Sequence, residues 1–170
     1  MSNLINFREK TCQCSNGCID VLLTVIGLSG SRLARTDDER NMMVWLMMKD
    51  QNIVGRGTVG FDITEMLWEK EYFERQKQFM LRVLDGVKKR IGWETLSYEP
   101  NEEMIFNRID CLYEMFQAIQ IEDIDEEATR EWLEDVELNE PIKNGYPKCE
   151  KHGIYHSIFG CIACNDDDLE

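Results

Sequence analysis

The chain is poor in histidine and in basic residues and has no long apolar run, and each scarcity removes a class of function. Its two histidines, His152 and His156, both lie near the C-terminus. A nucleophilic site of Ser, His and Asp, or of Cys and His, built elsewhere would have no imidazole to take the proton. No segment approaches the roughly eighteen consecutive apolar residues that cross a bilayer, which leaves no membrane role. The opening MSNLINFREKTC has none of the apolar core of an export signal, so a cytoplasmic location is expected. Nineteen Lys and Arg stand against thirty-three Asp and Glu, a formal charge of −14. Nucleic-acid affinity comes largely from cations that displace counterions from phosphates, so this balance favours a basic protein partner instead.

What is present is a composition that folds. Hydrophobic residues make up 43%, charged residues 31%, and there are four Trp in 170 residues, enough for one apolar core and a short appendage. The expected fold class is mainly α: a single acidic helical domain with a small C-terminal zinc-binding knuckle. Residues 1–18 read as an irregular Cys-containing arm, 19–138 as the helical domain, 139–148 (NEPIKNGYPK, with Pro141, Gly145 and Pro147) as a linker, and 149–170 as the zinc-binding tail.

Within the domain, IDVLLTVIGL (19–28) suits a strand or a buried helix, and helix is preferred because pairing partners are scarce. Thr36 followed by Glu39 has the form of a capping box, opening a buried helix over about 37–50 with MMVWLMM inside it. Asp62 and Glu65 repeat the signal for a helix running to Arg90, with a break near Glu71. Phe73, Met80, Val83, Leu84, Val87 and Ile91 share one face of it, and Lys88, Lys89 and Arg90 precede a stop at Gly92. Pro100 and Asn101 open a helix striped by Ile105, Ile109, Leu112, Phe116 and Ile119, with Cys111 beside the stripe as a small hydrophobe. A last helix, 125–136, turns Trp132, Leu133 and Val136 inward. Around it, from Glu122 to Glu140, ten acids face the single Arg130.

The chemistry concentrates at the end. Cys149-x2-His152 and Cys161-x2-Cys164 place two ligand pairs on either side of a short loop, with Gly153 and Gly160 to ease tight turns. Three thiolates and one imidazole around a single ion leave no open position, which makes the site structural, and zinc suits that ligand set. His156 is an alternative to His152 as the fourth ligand. The segment resembles zinc-ribbon-like and treble-clef-like modules, in which C-x2-H-G-x-aromatic leads by a short loop to C-x2-C. The resemblance covers about twenty residues. It implies a fold nucleus held by zinc, in a module that often docks to protein or nucleic acid, and it carries no specific activity.

Cys12, Cys14 and Cys18 supply three ligands of a possible second site. Either a fourth from His156, Cys111 or a partner closes a zinc site, or the three serve an iron-sulfur cluster, which takes four thiolates. Gly55-Arg-Gly-Thr-Val-Gly60 matches GxGxxG but lacks the strand before it that a dinucleotide site needs, so it reads as a tight turn. Glu102, Glu103 and the acids of 122–137 read as solvated faces rather than as acid-base pairs. No catalytic residue is assigned, and the expected role is non-enzymatic: a small cytoplasmic interaction protein, inhibitor or immunity-like and of bacterial or phage type, offering an acidic surface to a basic partner. The alternatives are a regulator touching nucleic acid through Lys148 and Lys151, and an iron-sulfur or zinc enzyme using the N-terminal cysteines.

Overall fold

Apart from Asp20 and Thr24, Ile19 to Leu28 is apolar, which suits a helix largely surrounded by others rather than one lying on a surface. In the computed structural model, which describes residues 3–167, this run forms the middle of α1, Asn16–Leu33. Ser15 caps it by accepting a hydrogen bond from the Cys18 amide at 3.2 Å. Every residue from Leu22 to Ser31 is buried. The protein is mainly helical, and α1 is the axis on which the other elements pack.

The Thr36–Glu39 capping box forms as the sequence indicates and opens α2, Asp37–Met47, whose Met42, Met43, Val44, Trp45, Leu46 and Met47 are all buried. The helix stops short of residue 50. Asp50 instead caps a separate single turn, α3 (Gln51–Val54), by accepting from the Asn52 amide at 3.0 Å. Further on, α4 (Phe73–Lys88) buries Phe79, Met80, Val83, Leu84 and Val87 against α1, and α5 (Glu102–Ala118), capped by Asn101, packs on α4. The short α6 (Glu126–Glu134), α7 (Glu140–Lys143) and α8 (Ile162–Asp167) complete the helices.

Several expectations are corrected. Residues 3–14 are not an irregular arm but a hairpin of β1 (Asn3–Phe7) and β2 (Lys10–Cys14). β3 (Gly60–Asp62) runs parallel to β1, giving the order β2-β1-β3. The period of two is hidden because the inward residues include Asn3, Cys12 and Cys14 beside Ile5 and Phe7. Asn3 is buried but satisfied, its amide donating to the Cys14 carbonyl at 3.3 Å and accepting from the Val59 amide at 3.1 Å.

Asp62 caps only a 3-10 turn, Ile63–Glu65, and the helix expected there begins at Phe73. Between them Trp68 is fully buried in a loop, held by its indole N–H on the Ile63 carbonyl at 2.6 Å, so tertiary packing overrides the local helix signal. Val136 lies beyond the end of α6 and is 72% exposed, while Trp132 does turn inward. Within 139–148, Pro141 lies in the first turn of the short α7, and Gly145 and Pro147 follow its end. Gly55 and Gly57 take positive φ in a turn that enters β3, so GxGxxG precedes a strand instead of following one, opposite to a dinucleotide loop.

Close helix approach makes glycine the favoured residue at position 86. A methyl group at Gly86 of α4 would lie 2.2 Å from Ser29 Oγ and 3.0 Å from Ile91 Cδ1. Ser29 cannot simply turn away, because its hydroxyl donates to the Val83 carbonyl at 2.7 Å. Gly86→Ala should therefore lower stability by about 1–3 kcal/mol despite the better helix propensity of alanine, measurable as a drop in the urea midpoint.

Candidate metal centre

The C-terminal segment is built from two tight turns. In the first, Lys148 and Tyr155 form an antiparallel bridge, the Cys149 amide donates to the Ile154 carbonyl at 2.9 Å, and the Gly153 amide donates to the Cys149 carbonyl at 2.7 Å. Gly153 sits at φ +72°, a conformation that side chains avoid. In the second, Ser157 and Gly160 pair across the turn, with Gly160 at φ +83°, and Cys161 then leads into α8, which carries Cys164.

The turns bring four ligand atoms together. His152 Nδ1 lies 3.6 Å from Cys149 Sγ, 3.6 Å from Cys161 Sγ and 3.4 Å from Cys164 Sγ, and Cys149 Sγ is 3.5 Å from Cys164 Sγ. All four lie within 4.8 Å of one another. Zinc bonds of about 2.3 Å to sulfur and 2.0 Å to nitrogen at tetrahedral angles put ligands about 3.5–3.8 Å apart. Those four separations match a tetrahedral cage of that size within a few tenths of an ångström, and with all four atoms inside 4.8 Å of one another the set fits a metal ion. The histidine in the cage is His152. His156 is half-exposed, its amide donating to the Pro147 carbonyl at 2.9 Å, and it stays outside the group.

The electrostatics of the sulfurs divide unequally. Burial works against the Cys149 thiolate, but the His152 and Lys151 amides and neighbouring thiols outweigh it and bring the Cys149 thiol below its ordinary range. The amide of His152 reaches that sulfur at 3.4 Å. Burial pushes the Cys161 thiol up to about 12 and raises Cys164 as well.

The knuckle is docked on the helical body. Lys148 Nζ donates to the Ser31 carbonyl at 3.0 Å, the Tyr155 amide to Ser31 Oγ at 3.0 Å, and Arg40 Nε to the Tyr155 hydroxyl at 3.2 Å. Ile154 is fully buried, and Asn165 of α8 donates to the Asp50 carboxylate at 3.0 Å. Arg32 is the residue that sequence reasoning missed. Its guanidinium donates to the His152 carbonyl at 2.9 Å and to the Leu28 carbonyl at 3.2 Å, wedged so tightly that a methyl at Gly92 or Gly153 would meet it at 3.0 or 3.2 Å. Its partner is 120 residues away, so no local pattern could have pointed to it.

The other candidates are arranged differently. Cys12, Cys14 and Cys18 are all buried. The Cys12 thiol is the largest influence holding Cys14 up at about 12, and the Cys14 thiol raises Cys18 further. Neither His156 nor Cys111 completes a set there: among the described residues the knuckle is the one group of three or more such side chains closed within 4.8 Å. Glu102 is ion-paired with Arg90, and Glu103 is exposed. No family model, curated protein or solved structure matches the chain.

Two outcomes follow from the geometry. Cys161 and Cys164 carry their protons at neutral pH, so loading a divalent ion should release at least two protons per chain and weaken as pH falls. Calorimetry of zinc binding in buffers of different ionisation enthalpy reads that number directly. Arg32→Met keeps the aliphatic stem but removes the charged donor, and should cost about 2 kcal/mol in the denaturant stability of the metal-loaded protein.

Proposed function

We propose that the chain is a small protein-interaction module whose fold is completed by one structural zinc ion on Cys149, His152, Cys161 and Cys164. The observation that carries this reading is the convergence of those four ligand atoms to within 4.8 Å of one another, with His152 Nδ1 3.4–3.6 Å from each sulfur. Three thiolates and an imidazole favour zinc over hard cations, and a fully occupied tetrahedron leaves no position for substrate. The role of the ion is then to fix the knuckle against α1 and α2. A reducing compartment such as the cytoplasm keeps those thiols available.

The functional surface in this reading is the acidic one. α6 exposes Glu126, Glu127, Glu131 and Glu134, and Asp135 and Glu137 continue the run. Arg130, the one cation of this stretch, is already paired with Glu127 and Glu134. Such a field accelerates the approach of a basic protein and repels nucleic acid, which fits an inhibitor or immunity-like role. The Lys148 ammonium is committed to the Ser31 carbonyl and lies 4.7 Å from the centre of the Tyr155 ring, which weighs against a phosphate-binding knuckle.

Purified protein should contain one zinc per chain by elemental analysis, and Cys161→Ser should lose the ion together with the near-ultraviolet signature of fixed packing. A variant that retains full packing without the ion would refute the structural role. For the partner, a basic protein captured from the native host should associate at a rate that falls steeply with salt. A captured protein whose binding ignores ionic strength, or no capture at all, removes the interaction reading.

A further inference from the structure

β3 forms one edge of the sheet β2-β1-β3, and that edge is open. The Leu4 amide donates to the Val59 carbonyl at 3.0 Å, so in this parallel pairing Val59 and Phe61 turn their backbone groups toward β1, and Gly60 and Asp62 turn theirs away. Gly60 is exposed, and apart from its chain neighbours the one atom within 4 Å of a methyl group placed there is the Leu4 carbonyl oxygen, at 3.8 Å. The Gly60 N–H and C=O and the Asp62 N–H therefore face outward, with no fourth strand among the described residues to pair them. A short outer strand is ordinary in itself. Two neighbours make this one specific.

The first is an apolar cleft. Met48, Val54, Val59, Leu138 and Phe159 line a hollow of about 240 Å³ that has Gly60 in its wall. Val54, in the single turn α3, is 52% exposed and its neighbour Ile53 49%, which leaves large apolar side chains in water beside the strand edge. The second is Lys49, which also lines the cleft. Among the described residues its ammonium makes no ion pair, and it lies 4.2 Å from the centre of the Trp45 ring. Burial disfavours its charge, and Glu65 favours it only from beyond contact. A partly desolvated cation beside an apolar hollow is complementary to an apolar ligand that carries one carboxylate. With a net charge of −14 on the chain, a longer acidic run would be repelled.

We propose that the β3 edge is a docking site for an extended segment of a partner protein, which adds as a fourth strand, seats an apolar side chain in the cleft and sets a carboxylate on Lys49. Backbone bonds to Gly60 and Asp62 supply affinity for any extended chain, and the cleft and the ammonium supply the selection. This surface is separate from the acidic run of α6. It rests on the zinc reading in one respect: Phe159 lies between the ligand pairs of the knuckle, so a loaded knuckle holds that wall in place.

The probe is a dye-labelled, capped peptide, Val-Thr-Val-Glu-Val-Thr, titrated with the full zinc-loaded chain and read by fluorescence anisotropy. It should bind saturably, and Gly60→Pro should weaken it at least about tenfold, because proline removes the outward N–H and leaves the pairing with β1 intact. Lys49→Met, which keeps the aliphatic stem, should weaken it about tenfold, as should exchanging the glutamate of the peptide for lysine. Val136→Ser, exposed outside the cleft, should change nothing. A wild-type chain that leaves the peptide unbound overturns the proposal, as does a Gly60→Pro or Lys49→Met protein that binds like the wild type.

Should Gly60→Pro fail to fold, the wild-type chain decides the matter with two further peptides, N-methylated on the odd or on the even amides. One of them should bind at least about tenfold more weakly than the parent, since methylation on the edge-facing set blocks strand pairing. Equal affinity for all three would refute strand addition. Zinc is measured in the same samples: peptide binding lost while zinc is retained overturns the docking edge alone, and missing zinc overturns the knuckle.

Discussion

Four polar side chains converge on one point at the end of the chain, and that convergence imposes conditions on everything near it. Between Cys149 and Cys164 the backbone must turn twice within sixteen residues, which is why Gly153 and Gly160 occupy conformations closed to most side chains. Without an ion, the cage holds two protonated thiols, Cys161 and Cys164, packed against an imidazole. Buried polar groups crowded in this way contribute little on their own, whereas a shared cation turns the same proximity into four bonds.

The body of the protein is shaped to receive that cage. Ser31, in the last turns of α1, uses both its carbonyl and its hydroxyl on the knuckle, accepting from Lys148 and from the Tyr155 amide. Gly27 has no side chain where Met47 and Ile154 approach, so α1, α2 and the knuckle meet at a point where a methyl group would have to displace the end of the Met47 side chain. Arg32 joins the last turn of α1 to the carbonyl of a ligand residue, His152, and leans on the turn after α4 through Gly92. The knuckle is thereby a wall of the core, with Ile154, Tyr155 and Ile162 buried in it, rather than a pendant.

Legibility in the sequence followed the range of the interactions. The capping box at Thr36, the apolar stripe of α5 and the paired ligand spacings are all local, contained within a few turns of chain, and each could be read directly. The β1–β2 hairpin was hidden because its inward positions hold Asn3, Cys12 and Cys14, residues that no hydrophobic pattern counts as core. Asn3 is tolerated there only because Val59 and the Cys14 carbonyl satisfy it, and Val59 is 56 residues away. The choice between His152 and His156 was open for the same reason: both are near in sequence, and the turn at Gly153, pinned by Arg32, decides which imidazole faces the sulfurs.

The two sets of cysteines show how surroundings, more than residue type, decide what a thiol does. At Cys149 backbone amides point at the sulfur and favour its charged form, so part of the work of making a thiolate is done before any ion arrives. Cys14, next to the Cys12 thiol, and Cys18, next to the Cys14 thiol, are both raised above the ordinary range, and burial adds to the rise in each. A divalent ion, gaining most from preformed negative charge and four ligands, belongs with the first set.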